Sequence, residues 1–221
     1  MREIVGKDET LDVLCNERLS IIQKKRGYRF SIDAVLLAAF VRLRKHERLL
    51  DIGSGCGIIP IYIARKGCAN DMTGVELQKD LFEAAQKNRV INRCEDRVRF
   101  INADITAIVR EMNKEPFQVV VSNPPYTRRR SGRTCPDESR RLARYEEKLD
   151  IDALTSAVSD LLVKKGRFYV IYPAHRMGEL IHAAAVKRLA LKKLRIVHPR
   201  QNEKANLVLA EFLKDGVMGV T

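Results

Sequence analysis

From about residue 48 onward, short runs of consecutive apolar residues alternate with longer stretches in which apolar residues recur every three or four positions. Short apolar runs bounded by turn residues read as strands, and the periodic stretches read as helices. The strand candidates are RLLDI (48–52), DMTGVE (71–76), VRFINA (98–103), QVVVSN (118–123), GRFYVIYP (166–173), LKKLRIVHP (191–199) and ANLVLAEFL (205–213). Helices are expected near 57–66, 79–91, 104–113, 150–164 and 175–189.

This alternation predicts an α/β fold. Each of the first four strands is followed by a helix, as in parallel strands covered on both faces. Only HPRQNEK separates the last two, so the sheet is expected to finish with a hairpin and an antiparallel strand. The expectation is a seven-stranded, mostly parallel, Rossmann-like sheet. Ahead of it, LSIIQKKRGYRF (19–30) reads as two short strands around a KKRG turn, followed by an apolar helix over 33–43 with Ser31 or Asp33 as N-cap. Residues 1–44 would form a small N-terminal cap, hairpin and helix, packed on a main domain of 45–221. The segment TRRRSGRTCPDESRR (127–141) lacks periodicity and reads as a long loop.

Composition narrows the class. A chain of 221 residues, 45% of them hydrophobic, can build one full core. Its longest apolar run, AVLLAAFV (34–41), is too short to span a bilayer, and MREIVGKDETLD is charged where a signal peptide is apolar. A cytoplasmic protein without membrane association is expected. The five cysteines (15, 56, 68, 94, 135) form no CxxC pair and their odd number makes a poor disulfide framework, so free thiols are expected. The four histidines (46, 175, 182, 198) are scattered, and neither a metal site nor a general base is assigned. The net charge of +13, from 41 basic and 28 acidic residues, points to a polyanionic partner. No obligate protein partner is inferred.

The first main strand runs into DIGSGCG, which places Asp51, Gly53, Gly55 and Gly57 at a strand-to-helix turn. Glycines there allow positive φ and close backbone approach to a ligand. The spacing is G-x-G-x-G, with Ile58 where a dinucleotide loop would need its third glycine. A carboxylate two residues before the first glycine opposes a pyrophosphate. It suits S-adenosylmethionine, which carries an ammonium and a sulfonium and no phosphate. Glu76 ends the second strand, where an acid accepts the ribose hydroxyls, and Asp104 after the third could take the adenine amino group. Both acids also suit helix N-termini, and Gly57 also suits simple packing.

Asn123, Pro124, Pro125 and Tyr126 end the fourth strand, next to the first, at the crevice where open α/β sheets bind ligands. This arrangement suits methylation of a planar nitrogen, whose lone pair is delocalised. The Asn123 side-chain oxygen and a backbone carbonyl, that of Pro124, can each accept one N–H of such an amine and stabilise the developing positive charge. Consecutive prolines fix φ and remove competing donors. Tyr126 can stack on a flat base. A strand-ending Pro-Pro turn is the plain alternative.

The arginines follow directly. Residues 128–144 hold seven, Arg128, Arg129, Arg130, Arg133, Arg140, Arg141 and Arg144, against Asp137 and Glu138. Beside the crevice they can neutralise phosphates flanking a target base. KRLALKKLRIVHPRQNEK (187–204) and the KKR of the N-terminal turn extend the basic surface, although a charge run also suits a solvated face.

DIGSGCG, Glu76 and SNPPY resemble motifs I, II and IV of the S-adenosylmethionine-dependent amino methyltransferases, over residues 48–126. The stretch ETLDVLCNERLSIIQKKRGYRFSIDAVLLAAFV is similar to the start of the bacterial tRNA1(Val) (adenine-37-N6)-methyltransferase family. The resemblance implies a class I methyltransferase fold, S-adenosylmethionine as cofactor with S-adenosylhomocysteine as product, no metal, and adenine N6 in a tRNA anticodon loop as target. It also implies that Phe30, Ser31 and Asp33 help to enclose the methionine end of the cofactor. A ribosomal RNA amino methyltransferase, a glutamine-N5 methyltransferase of a release factor and a non-catalytic binding protein stay open as alternatives.

Overall fold

The structure, a computed structural model, describes residues 5–14, 19–26, 29–67, 71–125, 150–217 and 219–220. In chain order these form β1 (Glu9–Leu14), β2 (Leu19–Lys24), α1 (Ile32–Phe40), β3 (Leu49–Ile52), α2 (Ile58–Arg65), β4 (Met72–Glu76), α3 (Lys79–Ile91), β5 (Val98–Asn102), α4 (Ile105–Met112), β6 (Phe117–Ser122), α5 (Ile151–Leu161), β7 (Leu162–Pro173), α6 (Met177–Val186), β8 (Leu189–Val197) and β9 (Leu207–Lys214).

Seven strands make the main sheet in the order β5-β4-β3-β6-β7-β9-β8. All neighbours from β5 to β7 are parallel, and β9 runs antiparallel to both β7 and β8. The sheet is thus the expected mostly parallel one, and its antiparallel strand lies between β7 and β8 rather than at the edge. The chain steps outward from β3 through β4 to β5, then returns to the other side of β3 as β6. The crevice between the carboxyl ends of β3 and β6 is therefore the switch point of the sheet.

Side-chain alternation in the central strands explains the two cores. Leu49, Val119, Val121, Tyr169 and Ile171 face a cluster with Leu37 of α1, Ile59 of α2 and Ala85 of α3. Leu50, Ile52, Val120, Phe168 and Val170 face the other side, against Leu154 and Val158 of α5 and Leu180 of α6. Because Leu50 and Ile52 point to the α5 side, period-2 alternation places Asp51 on the α1–α3 side. In α3 the buried positions are Leu81, Ala84, Ala85 and Asn88, the 3,1,3 spacing of one helical face.

Two local readings are corrected by the structure. Residues 19–24 do form a strand, but its partner is β1, paired antiparallel from Glu9↔Lys24 to Leu14↔Leu19, and not the residues beyond KKRG. Paired strands need only complementary edges, and DETLDVL had no apolar alternation strong enough to announce one. The helix expected over 150–164 stops at Leu161, and β7 begins at once with Leu162. Phe117 pairs with Leu162 and Val119 with Arg167, so residues 163–166 bulge out of the ladder. Lys165 has φ +62°, and a Cβ on Gly166 would lie 2.8 Å from the Val163 carbonyl oxygen, so KKG is a turn inside a strand.

Candidate active site

The loop after β3 is held by backbone donors that cross to β4 and to the acid that ends it. Gly53, Gly55 and Gly57 have φ of +72°, +56° and +83°, which only glycine adopts without strain. The N–H groups of Gly53 and Ser54 both donate to the Val75 carbonyl of β4, at 2.9 and 3.1 Å. The Gly55 N–H donates to Glu76 Oε2 at 2.8 Å, and the Gln78 N–H donates to Glu76 Oε1 at 2.8 Å. Glu76 thus holds the glycine loop with one oxygen and the entry to α3 with the other, and the Leu77 N–H also acts on its carboxylate.

Gly57 is also a packing residue. A Cβ there would stand 2.5 Å from Phe100 Cζ and 3.2 Å from the Ala85 methyl, and a Cβ on Gly74 of β4 would stand 2.5 Å from Cδ1 of the same ring. The Phe100 ring therefore lies flush against the loop. Such an approach sets the path of the backbone that a ligand would meet.

Asp51 is 0% exposed, and neither of its carboxylate oxygens has a hydrogen-bond partner among the described residues; the same holds for Ser54 Oγ. A buried unpartnered carboxylate is expensive. Burial pushes Asp51 well above the ordinary carboxylate range, and the Glu76 charge pushes the same way. Burial also raises Glu76, against the opposing pull of its backbone N–H donors. A positively charged ligand offering hydroxyl donors would relieve both groups, whereas a pyrophosphate would not. The site therefore fits S-adenosylmethionine. Burial pushes the Cys56 thiol up to about 12, which removes it as a nucleophile.

Asp104 serves a local role as well. As N-cap of α4, its Oδ1 accepts from the Thr106 N–H at 3.0 Å and from the Thr106 hydroxyl at 2.7 Å. Ser31 is the N-cap of α1 without a side-chain cap bond, and Asp33 is buried in its first turn. The Phe30 N–H donates to Gln23 Oε1 at 3.0 Å, and its ring packs on the α1–α3 core.

On the other side of the crevice, Ile52 of β3 pairs with Ser122 of β6, and the Ser122 hydroxyl donates to the Ile52 carbonyl at 2.9 Å. Gly53 and Asn123 leave these two strands side by side. Asn123 and Pro125 are half-buried and Pro124 is buried. Tyr126, Arg128, Arg129, Arg130, Arg133, Arg140, Arg141 and Arg144 lie outside the described residues. Two other basic stretches come to the same rim. β8 is parallel to β7, so the turn of residues 198–206 with exposed His198, Arg200 and Lys204 sits at the carboxyl ends of the strands. Lys24, at the end of β2, reaches Asp80 in the first turn of α3 at 2.8 Å.

Comparisons with known proteins agree with this architecture. The methyltransferase small domain family model matches residues 30–136. A tRNA1(Val) (adenine(37)-N6)-methyltransferase from Tolumonas auensis is 29% identical over 194 residues, 87% of this chain and 79% of that one. The protein of that name from Yersinia enterocolitica is 34% identical over 157 residues, 71% and 61% of the two chains. The family match spans the glycine loop, Glu76 and Asn123–Pro125. In the fold alone the chain is similar to a predicted O-methyltransferase from Agrobacterium tumefaciens, with a TM-score of 0.68 at 23% identity over 86% of this chain and 84% of that one. TrmN from Thermus thermophilus superposes with a TM-score of 0.60 at 20% identity, covering 82% of this chain and 48% of that one.

Sequence reasoning missed the side chains that join α3 to the N-terminal hairpin. Asn88 of α3 and Asn92, its C-cap, are buried, and their amides bond the backbone of β2. The signal was present: 81, 84, 85, 88 and 92 continue one apolar face, and two asparagines occupy it. Gln23 is also buried, and in the sequence nothing sets it apart from the rest of its strand.

Proposed function

We propose that this methyltransferase transfers a methyl group from S-adenosylmethionine to the exocyclic N6 of adenine in a tRNA anticodon loop, at position 37 of tRNA-Val. The observation that carries the reading is the placement of Asn123-Pro124-Pro125 beside the glycine loop, at the switch point of the sheet. The names of its sequence relatives support the substrate.

The cofactor supplies a methyl carbon made electrophilic by its sulfonium. Glu76 accepts the ribose hydroxyls with the acceptor capacity its backbone donors leave, and Asp104 accepts the adenine amine with its second oxygen. Asp51, buried beneath the loop, binds the cationic end, whose positive charge would favour its ionised form over the protonated one. Phe30, Ser31 and Asp33 close the methionine end. Asn123 Oδ1 and the Pro124 carbonyl accept the two N–H groups of the target amine and turn its lone pair toward the methyl carbon; the displaced proton leaves to solvent. Tyr126 stacks on the flipped adenine. The arginines between 128 and 144 neutralise the flanking phosphates, with the 198–206 turn and the KKR segment extending the footprint. Residues 1–44 act as a cap on the domain of 45–221, and the protein works in the cytoplasm.

Tritiated S-adenosylmethionine offered separately with total tRNA, ribosomal RNA and release factor tests the reading. Label is expected in tRNA, and nuclease digestion should recover it as N6-methyladenosine. Label confined to ribosomal RNA or to protein would replace the substrate with the corresponding alternative.

A further inference from the structure

The hairpin β1–β2 stands outside the main sheet, and α3 provides what its inner edge lacks. The Ile22 N–H donates to Asn88 Oδ1 at 2.6 Å, and Asn88 Nδ2 donates back to the Ile22 carbonyl at 3.0 Å. One turn further, at the C-cap of α3, the Ser20 N–H donates to Asn92 Oδ1 at 3.1 Å, and Asn92 Nδ2 returns to the Ser20 carbonyl at 2.6 Å. Two side-chain amides at i and i+4 thus meet alternate residues of a strand as a neighbouring strand would.

The two asparagines differ in their remaining donor. That of Asn92 stays inside its own helix, on the Asn88 carbonyl at 2.7 Å. That of Asn88 goes to the Cys56 carbonyl at 2.9 Å, inside the glycine loop. The Gly57 N–H, at the other end of the same peptide unit, donates to the Ser54 carbonyl at 2.9 Å. The Cys56–Gly57 peptide plane is therefore held at both ends, and one end depends on Asn88. Beyond Ile22, Gln23 accepts from the Phe30 N–H and gives its own amide N–H to Asp12 of β1. A continuous set of bonds runs from the glycine loop through Asn88 and β2 to Phe30.

We propose that Asn88 is a positioning residue that couples docking of the N-terminal hairpin to the shape of the glycine loop, so that hairpin order and cofactor binding strengthen one another. The coupling rests on the cofactor reading above. A loop fixed by bound cofactor holds the Cys56 carbonyl in place, which favours the Asn88 rotamer that also binds Ile22. By reciprocity, a docked hairpin favours the loop shape that binds cofactor.

Asn92 is the internal control, because it makes the same pair of bonds to β2 and none to the loop. Asn88→Ala should weaken binding of S-adenosylhomocysteine by about tenfold or more, while Asn92→Ala changes it by less than about twofold. In the native chain, saturating S-adenosylhomocysteine should slow hydrogen exchange of the Ile22 amide by about tenfold, even though Ile22 does not belong to the loop. Equal loss of affinity in the two variants would overturn the proposal. So would an Ile22 amide whose exchange ignores the ligand, a measurement that decides the matter even if Asn88→Ala does not fold. A native chain that binds no S-adenosylhomocysteine would overturn the cofactor reading and this coupling together; binding without any change at Ile22 would overturn the coupling alone.

Discussion

Gly55 donates its backbone N–H to Glu76 Oε2 at 2.8 Å, so the acid that ends β4 holds the loop that follows β3. Beneath the same loop lies the Asp51 carboxyl, buried and unpartnered among the described residues. Two acids are thus brought together in a dry site by the lateral pairing of β3 with β4.

Their titration makes cofactor-free stability depend on pH. Both groups are raised in the folded state, Asp51 by burial and by Glu76, and Glu76 by burial. A carboxyl raised on folding binds its proton more tightly in the folded chain. Its stabilising contribution is complete below the ordinary value of about 4 and is lost as pH climbs through the raised value. Asp51→Asn removes the Asp51 share of that loss. The melting temperature of the variant should therefore gain on the native protein as pH rises above about 4, and run parallel to it once pH has passed the raised value of the folded chain. Thermal unfolding at constant ionic strength tests this, and a difference that stays constant across the range would contradict it.

Asn123 can be separated from cofactor binding. It leaves β6 beside Gly53, and its proposed contacts are with the target amine. Asn123→Ala should keep the affinity for S-adenosylhomocysteine within about twofold while methyl transfer to tRNA falls by about 10² or more. Calorimetry and single-turnover transfer measure the two quantities. Normal transfer would remove Asn123 from the chemistry.

Phe100 predicts a steric cost on two glycines. At Gly74 a new Cβ would meet Phe100 Cδ1 at 2.5 Å and Ser54 Cβ at 2.9 Å. Gly74→Ala should destabilise the protein by about 1–3 kcal/mol, the usual range for overpacking a core. Phe100→Leu in the same chain should recover part of that loss. Gly57→Ala meets the same ring and adds the strain of a φ of +83°. Denaturant unfolding compares them, and a Gly74→Ala protein as stable as the native one would show that the ring yields freely.

The proposed RNA footprint predicts two additive salt effects. Replacing Arg128, Arg129 and Arg130 with Ala should weaken binding of an anticodon stem-loop and reduce the slope of log affinity against log salt by about 0.7–0.9 per lost phosphate contact. Replacing Arg200 and Lys204 tests the 198–206 turn, which topology brings to the same rim. A slope left unchanged by either set would move the footprint off those residues.

The sequence by itself determined the order and type of the main-domain elements, because strands buried on both faces must be apolar throughout and helices on their flanks must be apolar on one face. It also announced the glycine loop and the NPPY strand end, since positive φ and rigid carbonyls demand particular residue types wherever they occur. Only the tertiary structure decided which groups these residues meet. The partner of β2, the bulge at 163–166 and the flush contact of Phe100 with Gly57 and Gly74 arise between segments far apart in the chain, and no local pattern encodes them. Asn88 is the clearest case. In the sequence it is a polar residue on an apolar helical face, and its meaning comes from two backbone groups, at Ile22 and Cys56, that folding brings to either side of one amide.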